Sequence, residues 1–201
     1  MRTWGAVVTS TLFLCSCRTM RPCNIVTGDS DRIVDRTFIV PSLKLAAALP
    51  PDLEGHVLTQ DLNHALGVKS KHAVGYFAVL PAMGGVASTP IEPAMVKKYV
   101  IAKLERILGV PEEQIAQLML KGCASTRFVG HDAIGYSFAS AELVAEVVFQ
   151  DAPQVDGQYE IIKLYVKGDD QSRALLTSWQ DSFVECDDSR SSYKASRLKC
   201  H

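Results

Sequence analysis

The residues whose types could do chemistry gather in the C-terminal half. Cys123 and His131 could act as a thiol nucleophile and its base. Gly135-Tyr136-Ser137-Phe138-Ala139 falls one residue short of G-x-S-x-G, the pattern that exposes a nucleophilic serine on a sharp strand-to-helix turn. Ala139 replaces the last glycine, and the only histidine after Ser137 is His201. His131-Asp132 could open a metal site, but it stands between Gly130 and Gly135 in strand-like sequence and fits a surface turn better. His56, His64 and His72 recur at a spacing that suits neither one helix face nor a zinc pattern, so they read as scattered exposed histidines. There is no phosphate-cradling glycine motif, no dinucleotide fingerprint and no calcium loop, and no cofactor is expected.

The elements that must position these residues come from a chain of 201 residues with 47% apolar and 21% charged residues, enough for one domain with a real core. The net charge of −1 gives no electrostatic case for nucleic acid. The pattern predicts an α+β fold: a single domain, a largely antiparallel sheet packed against two to three helices. Residues 36–49 read as extended and broken by Pro41. Residues 50–72 read as loop, with a short helix expected at Thr59–Leu66, and 73–82 as a strand. Val96, Val100, Leu104 and Ile107 repeat at helical spacing after the Thr89-Pro90-Ile91-Glu92 capping box. A second helix is expected from Pro111 to Gly122. Strands are expected at 124–130, 133–138, 141–150 and 158–168; in the third Leu143, Ala145, Val147 and Phe149 alternate with Glu142, Val144, Glu146 and Val148, letters that also fit a helix capped by Ser140, and its valine pairs favour strand. Asp169 or Asp170 should cap a last helix, whose stripe of Leu175, Trp179 and Phe183 reads as core.

The N-terminus carries the sharpest signal. Arg2 and the apolar run Gly5 to Leu14 have the layout of an export signal, too short to span a bilayer. The run ends in Leu14-Cys15-Ser16-Cys17. This resembles a bacterial lipobox, with Cys15 as an unusual second position. The resemblance implies cleavage before Cys17, a lipid on its sulfur, and, with Arg18 following, an outer-membrane site. Periplasmic or secreted protein is the alternative. Acyl chains contribute about 0.8 kcal/mol per buried CH₂, so two or three hold a soluble domain on a membrane. The expected organisation is a signal peptide at 1–16, a tether at 17–35, the α+β domain at 36–185, and a tail at 186–201.

The chain has six cysteines. Loss of Cys15 and lipidation of Cys17 leave Cys23, Cys123, Cys186 and Cys200, an even set suited to an oxidising compartment. Of the three connectivities, Cys186–Cys200 with Cys23–Cys123 is favoured, because the first ties down a polar tail at a gain of roughly 3 kcal/mol. Free thiols are the alternative.

Gly130–Tyr136, Tyr159–Val166 and Asp170–Phe183 together resemble the PsbP-like fold. That likeness implies an antiparallel sheet against helices and transfers no chemistry. The expectation is an exported, lipid-anchored, non-catalytic interaction or accessory module of the cell envelope, with an envelope protein as partner. Two alternatives stand beside it. One is a secreted enzyme or toxin using Cys123, His131 and Ser137. The other is a carrier of small apolar molecules, which requires a cavity where Val100, Leu104, Trp179 and Phe183 would otherwise pack.

Overall fold

The computed structural model describes residues 28, 30–58, 64–81, 93–152 and 157–186. Cys15, Cys17, Cys23 and Cys200, the capping box, and the expected signal and tail lie outside them. The described residues fold as a single α+β domain of two antiparallel sheets and three α-helices. The small sheet has the order β1 (Arg32–Val34), β2 (Thr37–Val40), β3 (Leu45–Ala48), β11 (Val184–Glu185). The large sheet runs β4 (Glu54–Leu58), β5 (Ala65–Lys69), β6 (Ala73–Pro81), β10 (Gly157–Val166), β9 (Leu143–Ala152), β8 (His131–Ala139), β7 (Met119–Phe128). The helices are α1 (Pro93–Leu108), the single turn α2 (Glu112–Ile115) and α3 (Asp170–Asp181). No helix among the described residues is long and apolar enough to cross a membrane.

Local chemistry sets the hairpins. Asp35 and Arg36 both have positive φ between β1 and β2, as a two-residue type I′ turn requires. Val129 and Gly130 do the same between β7 and β8, at φ 47 and 80. A β-branched residue at positive φ is strained, and the register Phe128↔His131 holds Val129 there. Pro41 opens a 3-10 turn over Pro41–Leu43, which breaks the extended stretch where expected.

Side chains alternate across the large sheet, so its two faces carry two cores. On one face Phe77 lies among the rings of Phe38, Phe128, Tyr159 and Phe183 at 4.6–6.4 Å. Here α3 and the small sheet close over β6 and β10. Asp169 caps α3 by accepting from the Ser172 N–H at 3.0 Å. Leu176 and Trp179 then bury against Gly75, where an added Cβ would meet Trp179 at 2.7 Å. On the other face, Val96, Val100 and Leu104 of α1 pack on Tyr76, Ala78, Ile162 and Leu164. Burying a side chain of this size contributes roughly 1.5–3 kcal/mol. Along β10 the odd residues Tyr159, Ile161 and Tyr165 serve the first core and the even residues Ile162 and Leu164 the second.

Three expectations need correction, and one near-motif is set aside. Residues 54–58 and 65–69 form the β4–β5 hairpin, so Ala65 and Leu66 are strand and not helix. The helix expected to reach Gly122 ends after one turn, because Met119–Phe128 pairs with β8. β1 falls inside the stretch read as tether. Gly135–Ala139 lies within β8 and not on a strand-to-helix turn, so Ser137 is not on a nucleophile elbow.

Candidate functional site

One row of residues crosses the sheet beneath α3. Gly122 faces Ser137, Ser137 faces Glu146, Glu146 faces Lys163, and Lys163 faces Gly75. Trp179 closes the Gly75 end. Toward Gly122 the helix no longer covers the sheet. The space left is a groove of about 360 Å³ with Ala124, Gly135 and Ser137 on its floor and Gln180 of α3 on its wall.

The chemistry of the groove is polar at its inner end. Lys163 Nζ lies 2.7 Å from Glu146 Oε2, with side-chain exposures of 6% and 23%. Tyr165 donates its hydroxyl to Glu146 Oε1 at 2.9 Å. Burial would raise the Glu146 carboxyl, but the Lys163 charge and these hydrogen bonds outweigh it and hold the group below the usual carboxylate range. Burial first, and then the Glu146 charge and the hydrogen bond to it, push the Tyr165 hydroxyl up. Glu146 is therefore held as the carboxylate that the Lys163 head group meets. Among the described residues, Glu146 is the only hydrogen-bonding partner of the Lys163 ammonium, which has three protons to donate. Gln180 is buried, and its Oε1 has no partner among the described residues. A donor and an acceptor around this pair suit a group that offers both, such as an amide. They do not select a free anion.

The expected trio does not converge. Ser137 stands in the groove, opposite Gly122 and Glu146. A carboxylate held low and already bonded by Lys163 and Tyr165 is a poor base for it. Cys123 lies one residue along β7, opposite Tyr136. His131 is five residues down β8 from Tyr136, about 17 Å at strand rise. There its Nε2 lies 3.4 Å from Glu185 Oε2, which links the large sheet to β11. Cys123 is disulfide-bonded, and so is Cys186. A disulfide sulfur is not a thiolate nucleophile. The favoured connectivity involves Cys23 and Cys200, which lie outside the described residues. Val100, Leu104, Trp179 and Phe183 are packed at 0–3% exposure, which fills the site that a carrier would need. Among the described residues, no group of three His, Cys, Asp or Glu side chains could hold a metal ion. His64 departs from the reading of exposed, scattered histidines: it is half-buried and hydrogen-bonded on both ring nitrogens.

Sequence reasoning missed Glu146, Lys163 and Gln180. The first two were visible only as polar members of alternating strands. The fold and groove define an α+β domain with an open groove that is polar at its inner end. No family model matches the sequence, and no curated protein matches it. Among solved structures, the chain is similar to the Saccharomyces cerevisiae Ran-binding protein Mog1p, at 9% identity and a TM-score of 0.42, covering 81% of this chain and 98% of that one. It is also similar to LpqN of Mycobacterium tuberculosis, described as involved in cell envelope biogenesis, at 13% identity and a TM-score of 0.30, covering 70% and 82%. Likenesses this distant transfer no activity, ligand or partner.

Proposed function

We propose that the protein is an exported, lipid-anchored interaction module of the cell envelope, held at the outer membrane through Cys17, with the groove between α3 and β7–β9 as its contact surface. The observation that carries the binding role is the near-buried Lys163 ammonium with donors to spare, set beside the unsatisfied Gln180 Oε1 in an open groove. Such groups cost free energy unless something meets them, and an amide from a partner protein meets both. The location rests on Leu14-Cys15-Ser16-Cys17. Disulfide-bonded Cys123 and Cys186 suit the same oxidising side of a membrane.

Metabolic labelling with palmitate tests the anchor. Label should appear on the mature protein and vanish with Cys17→Ala, and an unlabelled, freely soluble mature protein rejects it. A photo-crosslinking residue at the exposed Ala124 tests the groove. A discrete adduct in intact cells should disappear when Ser137→Trp fills the space, and an adduct indifferent to that substitution rejects the surface.

A further inference from the structure

A second polar cluster lies away from the groove, at the joint between the two sheets. Asp31 precedes β1, Ser42 sits in the 3-10 turn between β2 and β3, and His64 leads into β5. Asp31 Oδ1 and Oδ2 lie 2.9 and 3.0 Å from His64 Nδ1. Ser42 Oγ lies 3.1 Å from His64 Nε2. A carboxylate only accepts, so Nδ1 carries the proton and donates it to Asp31. In the neutral ring Nε2 is then the bare nitrogen, and the Ser42 hydroxyl is its donor. That is the order of bonds by which an imidazole activates a serine. Burial is graded in the same order: the Asp31 side chain is 14% exposed, that of His64 30%, and Ser42 is open to solvent. The carboxylate is shielded while the hydroxyl is presented. His64 is held at φ 33, on the left-handed side of backbone space.

We propose that Ser42 and His64 are catalytic residues, positioned by Asp31, that hydrolyse carboxylic esters by acyl transfer. Ser42 Oγ attacks the carbonyl carbon while its proton passes to His64 Nε2. The bond to the alkoxy oxygen breaks, and that oxygen leaves as the alcohol with the proton from Nε2. Water then attacks the acyl-serine and gives a proton to Nε2. The Ser42–acyl bond breaks, the carboxylic acid departs, and Oγ recovers its proton. No oxidant or metal enters the balance. This activity goes beyond the binding role and departs from the expectation of a module without catalysis.

The test uses the purified full-length chain. A fluorophosphonate probe should label it at Ser42, as located by peptide mass spectrometry, and turnover of p-nitrophenyl acetate should begin with a burst of one equivalent. Ser42→Ala and His64→Gln should each lower turnover by at least about 100-fold and abolish labelling, and Asp31→Asn should weaken both. Ser42→Ala removes an exposed hydroxyl, so its far-ultraviolet circular dichroism and melting temperature should match those of the parent. A folded parent that stays unlabelled overturns the proposal, as does labelling that persists in Ser42→Ala. Variants that melt earlier while the parent shows no labelling would assign the cluster to joining the sheets, which also overturns it.

Discussion

Tyr99 of α1 donates its hydroxyl to Glu160 of β10 across 2.7 Å, inside a core where Glu160 is fully buried. The Lys103 ammonium lies over the rings of Tyr76 and Tyr99, at 5.3 and 5.4 Å from their centroids. Burial pushes the Glu160 carboxyl up to about 7, against the lowering effects of the Tyr99 hydrogen bond and the Lys103 charge. Both tyrosine hydroxyls are pushed up in turn, by burial first and by Glu160 second. Glu160 Oε1 has no partner among the described residues.

Stability should therefore fall as pH rises from the ordinary glutamate range toward neutrality. The folded state holds the Glu160 proton more tightly than the unfolded chain, so this contribution is complete below the ordinary glutamate range and is lost as pH climbs to about 7. The loss should be of order 3 kcal/mol across that window. Denaturant unfolding from pH 4.5 to 8 should show it, and Glu160→Gln should flatten the profile. A parent profile equally flat over that range would refute the assignment.

Tyr99→Phe should act with a pH signature of its own. The lost hydroxyl mainly serves the ionised carboxylate, so the variant should lose about 1.5–3 kcal/mol at pH 8 and less at pH 5. The Glu160 titration should move further up. Equal losses at both pH values would mean that the hydroxyl contributes only packing.

The Lys163–Glu146 pair should respond asymmetrically. Glu146→Gln strands a nearly buried ammonium and should cost about 3–5 kcal/mol. Replacing both partners, as Glu146→Leu with Lys163→Met, should cost clearly less than that single change. Chemical denaturation of the three proteins decides it, and a double variant worse than Glu146→Gln would contradict the account.

Gly75→Ala should destabilise by roughly 1–3 kcal/mol, because its Cβ would meet Trp179 at 2.7 Å and Val68 at 2.8 Å in a packed core. Thermal melting measures the effect. An unchanged melting temperature would show that α3 sits less tightly on β6 than these distances require.

The parts of the fold that were legible have one strong period each. Val96, Val100 and Leu104 announce α1, and the alternation around Leu143–Phe149 announces β9. β5 was missed because Ala65 and Leu66 enter opposite cores, so both faces are apolar and no alternation survives. Ile115 and Leu118 do bury as a helical pair should, but sheet pairing from Met119 onward overrides the rest of that helix. Ser137, Glu146 and Lys163 become neighbours only through strand register. Ser42 and Asp31 lie 22 and 33 residues from His64, and no local spacing signals that meeting.

β10 carries Glu160 and Lys163 three residues apart, and an odd separation in a strand sends them to opposite cores. A slip of one residue against β6 or β9 would turn each charge toward the wrong partners. Lys163 would enter the α1 side, which already holds the Lys103 cation, and Glu160 would be thrust beneath Trp179. A purely apolar β10 would tolerate that slip, since both faces are greasy. The two buried ionisable groups thus disfavour a one-residue misalignment of the central strand.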